Sequence, residues 1–357
     1  MTNKTLGILG GGQLGRMSAM AAARLGISCI IFTPEENSPA SLVAAETIVA
    51  DYDDENSLRK FSEKADVISY EFENIPVKTV AFLKNLKPVY PDEKLLNVAQ
   101  DRIAEKTFLN DINIPTTLWS APKSPDDIRN TLSDWGANEA IIKTTRFGYD
   151  GKGQARISSD TDIDTLWTQF NGQELILESI VPFDCEISII IARDVNGNTE
   201  IYGPMVNEHR NHILHKTTMP CPLDADIQEK AKTAAIQLAE NVGLVGVLTL
   251  ELFVTKDANG NKNILANEIA PRTHNSGHWT IDACAASQFE NHVRAVCGLP
   301  LAPATRHSDC EMLNLIGDDA KPENIEKYLK AENTCLHLYG KTDIRDGRKM
   351  GHVTILS

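Results

Sequence analysis

The sequence reads as an α/β protein of two or three domains: a doubly wound N-terminal unit, a small α/β module, a central part ending in a long hairpin, and a short β-rich C-terminal module. Three observations carry this reading. Strand-like and helix-like runs alternate through the first hundred residues. Asn259-Gly260, a strong hairpin signal, separates the apolar runs Val247 to Phe253 and Ile264 to Ile269. The 357 residues exceed one core on a prior of ~150 residues per domain.

The elements follow in order. Leu6 to Leu9 is a strand, Gln13 to Leu25 a helix closed by Gly26, and Ser28 to Phe32 and Val67 to Tyr70 are further strands. In a doubly wound sheet, ligands bind beyond the carboxyl ends of the strands, where Gly10 to Gly12 and Glu73-Asn74 both fall. Asn74, Ile75 and Pro76 suit the cap and first turn of a helix through Leu83. Asp101 to Asn110 is an amphipathic helix carrying Arg102 and Lys106, ended by Ile114-Pro115. A lid spans about 112–177, with strands Ala140 to Lys143 and Ala155 to Ser158 and a helix Asp162 to Phe170. Glu178 to Val181 suits a hinge strand; strand Glu186 to Ala192, helix Asp226 to Asn241, the hairpin and helix Phe289 to Cys297 complete the central part. Short strands from Cys335 to Leu356 form the C-terminal module. No internal repeat or low-complexity segment stands out. The boundaries expected are 1–105, 106–297 (lid about 112–177, remainder about 178–297) and 298–357.

A net charge of -14 argues against nucleic-acid or anionic-membrane binding as the main activity, so any phosphate site must be a local basic focus. No apolar run is long enough to cross a bilayer, and the chain begins without a long apolar signal region; a cytoplasmic location is expected. Seven scattered cysteines without a C-x-x-C pair fit reduced thiols rather than a disulfide framework or a metal site.

Glu251 and Glu268 lie equidistant from Asn259-Gly260, so a two-residue hairpin without a bulge sets them opposite each other. Opposed Cβ atoms stand about 5 Å apart, and two like charges there repel by roughly 3 kcal/mol at an effective dielectric of 20. A cation relieves this, and Mg²⁺ is held by one or two carboxylates together with substrate phosphates. The plainer alternative is one glutamate turned to solvent. Arg272, His274, Asn275 and Ser276 follow Glu268 in a polar loop suited to an anion. Upstream, Gly148-Tyr149-Asp150-Gly151-Lys152-Gly153-Gln154 lets backbone N–H groups approach phosphate, although such loops are often only turns. His209, His212 and His215 repeat every three residues, but in a strand that spacing alternates faces and disfavours zinc.

The ordered set Lys106, Lys143, Gly148 to Gln154, Glu178-Ser179-Ile180-Val181, Glu186, Glu251 and Asn267-Glu268 resembles the ATP-grasp ligases. More narrowly, Gly10-Gly11-Gly12-Gln13-Leu14-Gly15-Arg16-Met17, Tyr70-Glu71-Phe72-Glu73-Asn74, His274 to His278, Ser287 to Glu290 and Tyr339-Gly340-Lys341 resemble the 5-(carboxyamino)imidazole ribonucleotide synthases of purine biosynthesis. The likeness spans essentially the whole chain. It departs at Thr273, where proline is common in the family, and at His212, where glycine is common.

The resemblance implies an ATP-grasp fold with an N-terminal doubly wound (pre-ATP-grasp) domain, a lid subdomain and a C-terminal β module. It implies that backbone groups at Glu178, Ser179, Ile180 and Val181 read adenine, that Glu186 binds ribose hydroxyls and that His209 and Asn267 belong to the nucleotide site. Lys106, Lys143 and Arg102 neutralise phosphates, Gly148 to Gln154 cover them, and Glu251 and Glu268 hold one or two Mg²⁺. Bicarbonate attacks the γ-phosphate of ATP, and the resulting carboxyphosphate carboxylates the exocyclic amine of 5-aminoimidazole ribonucleotide. Arg272, His274 and Asn275 are the candidates to hold the carboxyphosphate, with Tyr149 and Asp150 at the aminoimidazole. Gly12, Gln13, Leu14, Glu73, Asn74 and Ser276 are further substrate contacts, and Lys341 and Arg348 hold the 5′-phosphate. The family also implies a homodimer.

The basic cluster Lys341, Arg345, Arg348 and Lys349 surrounds Asp346-Gly347, and pairing about that turn sets Lys341 opposite His352. Three other functions stay open. Gly10-x-Gly12-x-x-Gly15 after a strand, with Glu35 and Glu36 some 20 residues beyond, satisfies a nicotinamide-dinucleotide fingerprint. Another carboxylating or amide-forming ATP-grasp ligase, or a silent ATP-binding module, would share the remaining features.

Overall fold

The computed structural model describes residues 4–146, 153–257 and 259–357. The N-terminal sheet is parallel: β1 (Thr5–Leu9), β2 (Ser28–Thr33), β3 (Glu46–Val49) and β4 (Val67–Tyr70), in the order β3-β2-β1-β4. Strand β1 is buried on both faces: Leu6 and Ile8 pack toward helix Gln13–Arg24 and Phe289, and Leu9 packs toward Phe61 and Leu83. This two-sided burial is why the strand reads as a continuous apolar run. Gly26, at φ +71, ends the first helix as expected. Asn74 does not cap the next one: its N-cap is Pro76, with no side-chain bond, and the helix is Val77–Lys84. Asp101 does cap helix Arg102–Asp111, accepting from the N–H groups of Ile103 and Ala104.

The lid sheet holds β5 (Trp119–Ser120), β6 (Ala140–Thr144), β7 (Gln154–Ile157) and β8 (Leu175–Ser179), in the order β5-β8-β6-β7, over a core of Ile128, Ile142, Ile157 and Leu177. Strand β8 stops at Ser179, so residues 180–182 are the crossing into the large sheet rather than part of a hinge strand.

The large sheet comprises β9 (Phe183–Arg193), β10 (Thr199–Arg210), β11 (Ile213–Met219), β12 (Gly246–Lys256), β13 (Lys262–Ala270), β14 (Cys310–Ile316), β15 (Thr334–Leu338) and β16 (Lys349–Leu356). Its order is β13-β12-β9-β10-β11-β14-β16-β15, so the C-terminal strands continue the central sheet. Alternation along β9 and β12 sorts side chains by face. Ile187, Ile189, Ile191, Leu250 and Leu252 pack against helix Ala225–Asn241. Ser188 and Glu251, in register opposite each other, point to the other side. That face becomes the site.

The long hairpin pairs Glu251 with Glu268, but not through a two-residue turn. Lys256 opposes Lys262, leaving the five-residue loop Asp257 to Asn261, and a bulge at Asn267 adds one residue before Glu268. The wider loop and the bulge offset each other, so the simple arithmetic reaches the right pair. The loop is closed by Asp257, whose Oδ1 accepts from the N–H groups of Asn259 (2.8 Å) and Asn261 (2.9 Å). Asp194-Val195-Asn196-Gly197-Asn198, between β9 and β10, makes the same turn: Asp194 Oδ1 accepts from Asn196 N–H (2.9 Å) and Asn198 N–H (3.0 Å). This Asp-x-Asn-Gly-Asn repeat escaped the sequence reading, and its aspartate sets the loop length.

The second hairpin expectation is corrected. His337, not Lys341, opposes His352, and the strands end at Leu338 and Lys349. The Asp346-Gly347 turn exists, closed by Arg348 N–H to Arg345 O at 3.1 Å, but it tips a longer loop outside the ladder. Asn211 and His212 both adopt left-handed φ, +50 and +64. A turn demanding that conformation accounts for glycine being common where His212 stands.

Candidate active site

A cleft of about 770 Å³ lies between the lid sheet, the large sheet and the N-terminal unit, lined by residues of all three. At one end, helix Arg102–Asp111 points Lys106 inward, where it is 1% exposed, and β6 contributes Lys143. Both ammoniums meet the buried carboxylate of Glu178: Lys106 Nζ lies 3.3 Å from Oε1, and Lys143 pairs with Oε2. Burial alone would raise the Glu178 carboxyl, but the two ammoniums hold it at about 2. The Asn267 bulge turns its carbonyl to Lys106 Nζ, 2.9 Å away. Here the Glu178 side chain, expected to leave recognition to its backbone, is instead the counter-charge of both lysines.

At the other end, Glu251 and Glu268 stand on one rung. Glu251 lies 2.9 Å from His274 Nε2. Burial pushes its carboxyl up, but His274 outweighs that and holds it below the ordinary range. Glu268 lies 3.5 Å from Arg102. Next to them His209 Nδ1 approaches Glu186 Oε2 at 2.9 Å; burial opposes charge on this imidazole, yet Glu186 carries it above its ordinary value. The two opposed glutamates offer only hard oxygen donors, the set that Mg²⁺ takes, and a cation relieves their repulsion, so these residues fit the ion.

Arg272 packs partly buried against Glu73, whose carboxyl it holds at about 2 against the effect of burial. Asn74 lines the same cleft. Asn275 and Asn314 exchange amide hydrogen bonds at 2.8 and 2.9 Å, fixing Asn275 at the cleft wall. Ser276 is wholly buried behind His274 and offers the cleft no surface. Gln154 lines the cleft and Gly153 sits at φ +71, whereas Gly148, Tyr149, Asp150, Gly151 and Lys152 lie outside the described residues. Lys341 donates to Lys349 O at 2.7 Å, and burial, with Arg348 and Lys349 nearby, brings its ammonium down to about 8. Arg348 donates to Asp343 O at 2.8 Å.

Gly12, Gln13 and Leu14 sit at the end of β1, where a carboxylate from the protein itself fills the glycine turn. Glu71 accepts from Gly12 N–H through Oε1 and from Gly15 N–H through Oε2, the latter at 2.7 Å. A Cβ on Gly12 would stand 2.5 Å from Glu71 Oε1, and one on Gly10 would stand 2.4 Å from Glu71 Cγ. These glycines therefore admit Glu71, where a dinucleotide fold would seat a pyrophosphate. That occupancy removes the physical basis of the nicotinamide reading.

Sequence reasoning missed Phe183 and Phe253, whose rings stack at 4.8 Å on the cleft wall, and Glu105 at its edge; of the basic cluster, Lys349 lines the cleft. Phe253, two residues beyond Glu251, was open to discovery by strand alternation. His209, His212 and His215 fall on β10, a turn and β11, without converging. Among the described residues only Asp282, His337 and His352 bring three or more metal-type ligands together, and the His337 and His352 rings stack 4.5 Å apart at 9°. An ion in the plane of one such ring lies well off the plane of the other, so the pair does not converge on a metal.

Comparison with known proteins places this geometry. The ATP-grasp domain model matches residues 107–289, the ribonucleotide synthetase preATP-grasp domain 3–100, and the phosphoribosylaminoimidazole carboxylase C-terminal domain 310–357. The chain is 48% identical over 354 residues to the N5-carboxyaminoimidazole ribonucleotide synthase of Brucella melitensis biotype 1, covering 98% of this chain and 95% of that one. It is 38% identical to the Bacillus subtilis enzyme of the same name, covering 98% and 91%. Among solved structures, an ADP complex of N5-carboxyaminoimidazole ribonucleotide synthetase superposes with a TM-score of 0.93 at 38% identity, covering 100% of this chain and 93% of that one. The Aspergillus clavatus enzyme with ADP and 5-aminoimidazole ribonucleotide superposes with a TM-score of 0.90 at 26% identity, covering 99% and 94%. With three domain models in order, near-complete coverage and a cleft built for a charged nucleotide, the chain belongs to the N5-carboxyaminoimidazole ribonucleotide synthase family of ATP-grasp ligases.

Proposed function

We propose that this ligase joins bicarbonate to the exocyclic amine of 5-aminoimidazole ribonucleotide at the expense of ATP, giving 5-(carboxyamino)imidazole ribonucleotide, ADP and phosphate. The observation that carries the reading is a single cleft with two lysines around Glu178 at one end and two opposed glutamates at the other. Phosphoryl transfer asks mainly for charge neutralisation and positioning, and no enzyme nucleophile is needed. Lys106, Lys143 and Arg102 neutralise the triphosphate. Glu251 and Glu268 would hold Mg²⁺, which when bound neutralises the β- and γ-phosphates. The crossing at 180–182 and the Phe183–Phe253 pair flank adenine, and Glu186 with His209 takes the ribose.

Bicarbonate oxygen attacks the γ-phosphorus and ADP leaves, so carboxyphosphate forms without a covalent enzyme intermediate. Arg272, His274 and Asn275 hold its oxygens while water is kept out, because the mixed anhydride is labile. The amine nitrogen then bonds to the carboxyl carbon, the bond from that carbon to the phosphate oxygen breaks, and the departing phosphate takes the amine proton. Glu73, Asn74 and Gly12 to Leu14 line the ribonucleotide's approach, Lys341 and Arg348 hold its 5′-phosphate, and Tyr149 and Asp150 are assigned to the aminoimidazole on family resemblance alone. We assign a homodimer on the same ground, and the cytoplasm on the sequence reading above; no described helix is long and apolar enough to cross a membrane.

The test is ADP release with and without the ribonucleotide and bicarbonate. Full turnover is expected only with both present. Release driven equally well by another acceptor would favour a different ATP-grasp ligase, and nucleotide binding without turnover would favour a silent module.

A further inference from the structure

Ser188, Asn207 and Thr217 are polar side chains set in the interior of the large sheet, 0%, 6% and 1% exposed. Such groups are costly unless each is hydrogen-bonded. Strand register puts Ser188 opposite Glu251 and Asn207 opposite Thr217, and their side chains join in a line toward the site. Thr217 Oγ1 donates to Asn207 Oδ1 (3.0 Å), Asn207 Nδ2 to Ser188 Oγ (2.9 Å), and Ser188 Oγ to Ser276 Oγ (2.7 Å). Ser276 Oγ then lies 2.8 Å from His274 Nδ1, and His274 Nε2 lies 2.9 Å from Glu251.

Each hydroxyl has one proton, so a chain of such links runs in a single direction. Two independent features set that direction. Nε2 stands 2.9 Å from a carboxylate oxygen of Glu251, hydrogen-bond distance from an acceptor, so Nε2 carries the hydrogen. The backbone N–H of Ser276 points at Nδ1 from 3.4 Å, so Nδ1 must be the acceptor. Reversing the chain would set a lone pair against the Glu251 carboxylate and two hydrogens against each other at Nδ1.

We propose that Ser188, Asn207 and Thr217 are positioning residues that act through Ser276 to hold His274 in its Nε2–H tautomer, presenting that hydrogen to an oxygen of carboxyphosphate when Glu251 is engaged by the cation. The use made of the hydrogen rests on the proposed function. The tautomer does not, because every contact behind it is present in the protein alone. Groups that orient a metal-bound histidine through its second nitrogen typically change activity ten- to a hundredfold when removed, and the lower end of that range sets the scale for His274.

Nitrogen-15 NMR of the free, histidine-labelled protein, with His274 assigned by the signals lost in His274→Gln, reads the tautomer directly. A pyridine-like Nδ1 with a pyrrole-like Nε2 is expected; a pyrrole-like Nδ1 overturns the proposal. Ser188→Thr and Ser188→Val add the same methyl group but only the first keeps a hydroxyl. The valine variant is expected to turn over about tenfold more slowly than the threonine variant, with both substrate KM values within about twofold and mixed tautomer signals. Equal kcat in the two variants overturns it. Should the added methyl prevent folding, Thr217→Val, nearly isosteric with the native residue, removes the hydroxyl that orients Asn207. It is expected to lower kcat severalfold and to mix the tautomers, and wild-type kcat with an unmixed tautomer counts against the chain. If the wild-type protein shows the expected tautomer but no turnover with ribonucleotide and bicarbonate, the functional reading fails while the tautomer assignment stands.

Discussion

One end of the cleft shares a single carboxylate between two ammoniums, and the other sets two carboxylates on one β-rung. Lys106 and Lys143 against Glu178 leave one positive charge in surplus; the two carboxylates Glu251 and Glu268 against the guanidinium of Arg102 leave one negative charge in surplus, with His274 beside Glu251. The lysine end, with Lys106 buried and Lys143 partly so, is closed by ion pairs, whereas the glutamate end keeps the Glu268 side chain 44% exposed. The difference teaches how an ATP site stays stable without ATP. Under the proposed function, Lys106, Lys143, Glu251 and Glu268 each have an internal partner that the nucleotide or its cation would replace, and the surplus charges would match a triphosphate at one end and a cation at the other.

Removing charge from the glutamate end should break this arrangement most severely. Glu251→Gln and Glu268→Gln are each expected to keep the fold and lower kcat by about a thousandfold, near 4 kcal/mol of transition-state stabilisation. ADP release and thermal unfolding across a Mg²⁺ series test this; near-normal turnover in either variant sinks the paired role.

At the lysine end the larger cost falls on stability. Glu178→Gln leaves two ammoniums buried without their carboxylate and should destabilise the nucleotide-free protein by about 3 kcal/mol. ADP should recover part of the loss, because its phosphates replace the missing charge. Denaturant unfolding with and without ADP measures both, and an ADP increment no larger than in the wild type argues against the exchange of partners.

Outside both ends, Lys341→Ala or Arg348→Ala should raise the ribonucleotide KM at least about tenfold, the loss of one ~1.4 kcal/mol charge-assisted contact, and barely alter that for ATP. A defect confined to ATP would move this loop to the nucleotide.

Two buried carboxylates sharpen the comparison through pH. Burial lifts Glu105 to about 8, although Lys106 opposes it. A folded-state value above the ordinary 4.5 gives stability that is complete below about pH 4.5 and is lost as pH rises toward 8. Glu178, held at about 2, contributes the opposite: stability present above about 4.5 and lost as pH falls toward 2. Glu105→Gln should therefore flatten the decline in unfolding free energy between pH 5 and 8 and leave the acid limb in place. An unchanged decline assigns it to another group.

Much of the fold was legible because its signals are local. The β1–glycine–helix start, the Asp101 cap and helix Ala225–Asn241 follow from periodicity and capping chemistry, and the structure keeps them. The Glu251–Glu268 pair was legible only through two compensating differences, since neither the Asp257-closed loop nor the Asn267 bulge shows in hydrophobic pattern. Side chains meeting across long separations were not legible. Glu178 between its lysines, Glu71 in the glycine turn and Ser188 behind Ser276 depend on strand order and register, which distant segments fix together. Lys341 was placed opposite the wrong residue for the same reason: a turn signal fixes a turn, not how far the strands extend from it.

The continuation of the large sheet into β14, β16 and β15 bears on solubility as well as binding. Strand β11 carries β14 on its outer side, from Lys216 against Leu313 to Met219 against Cys310. A chain ending before Cys310 would leave that row of backbone N–H and C=O groups open, a template for pairing with another unfinished copy. The segment that carries Lys341 and Arg348, proposed above to hold the ribonucleotide, thus also covers a sticky edge. Shortening it would therefore be expected to promote association between chains as well as to remove the basic loop.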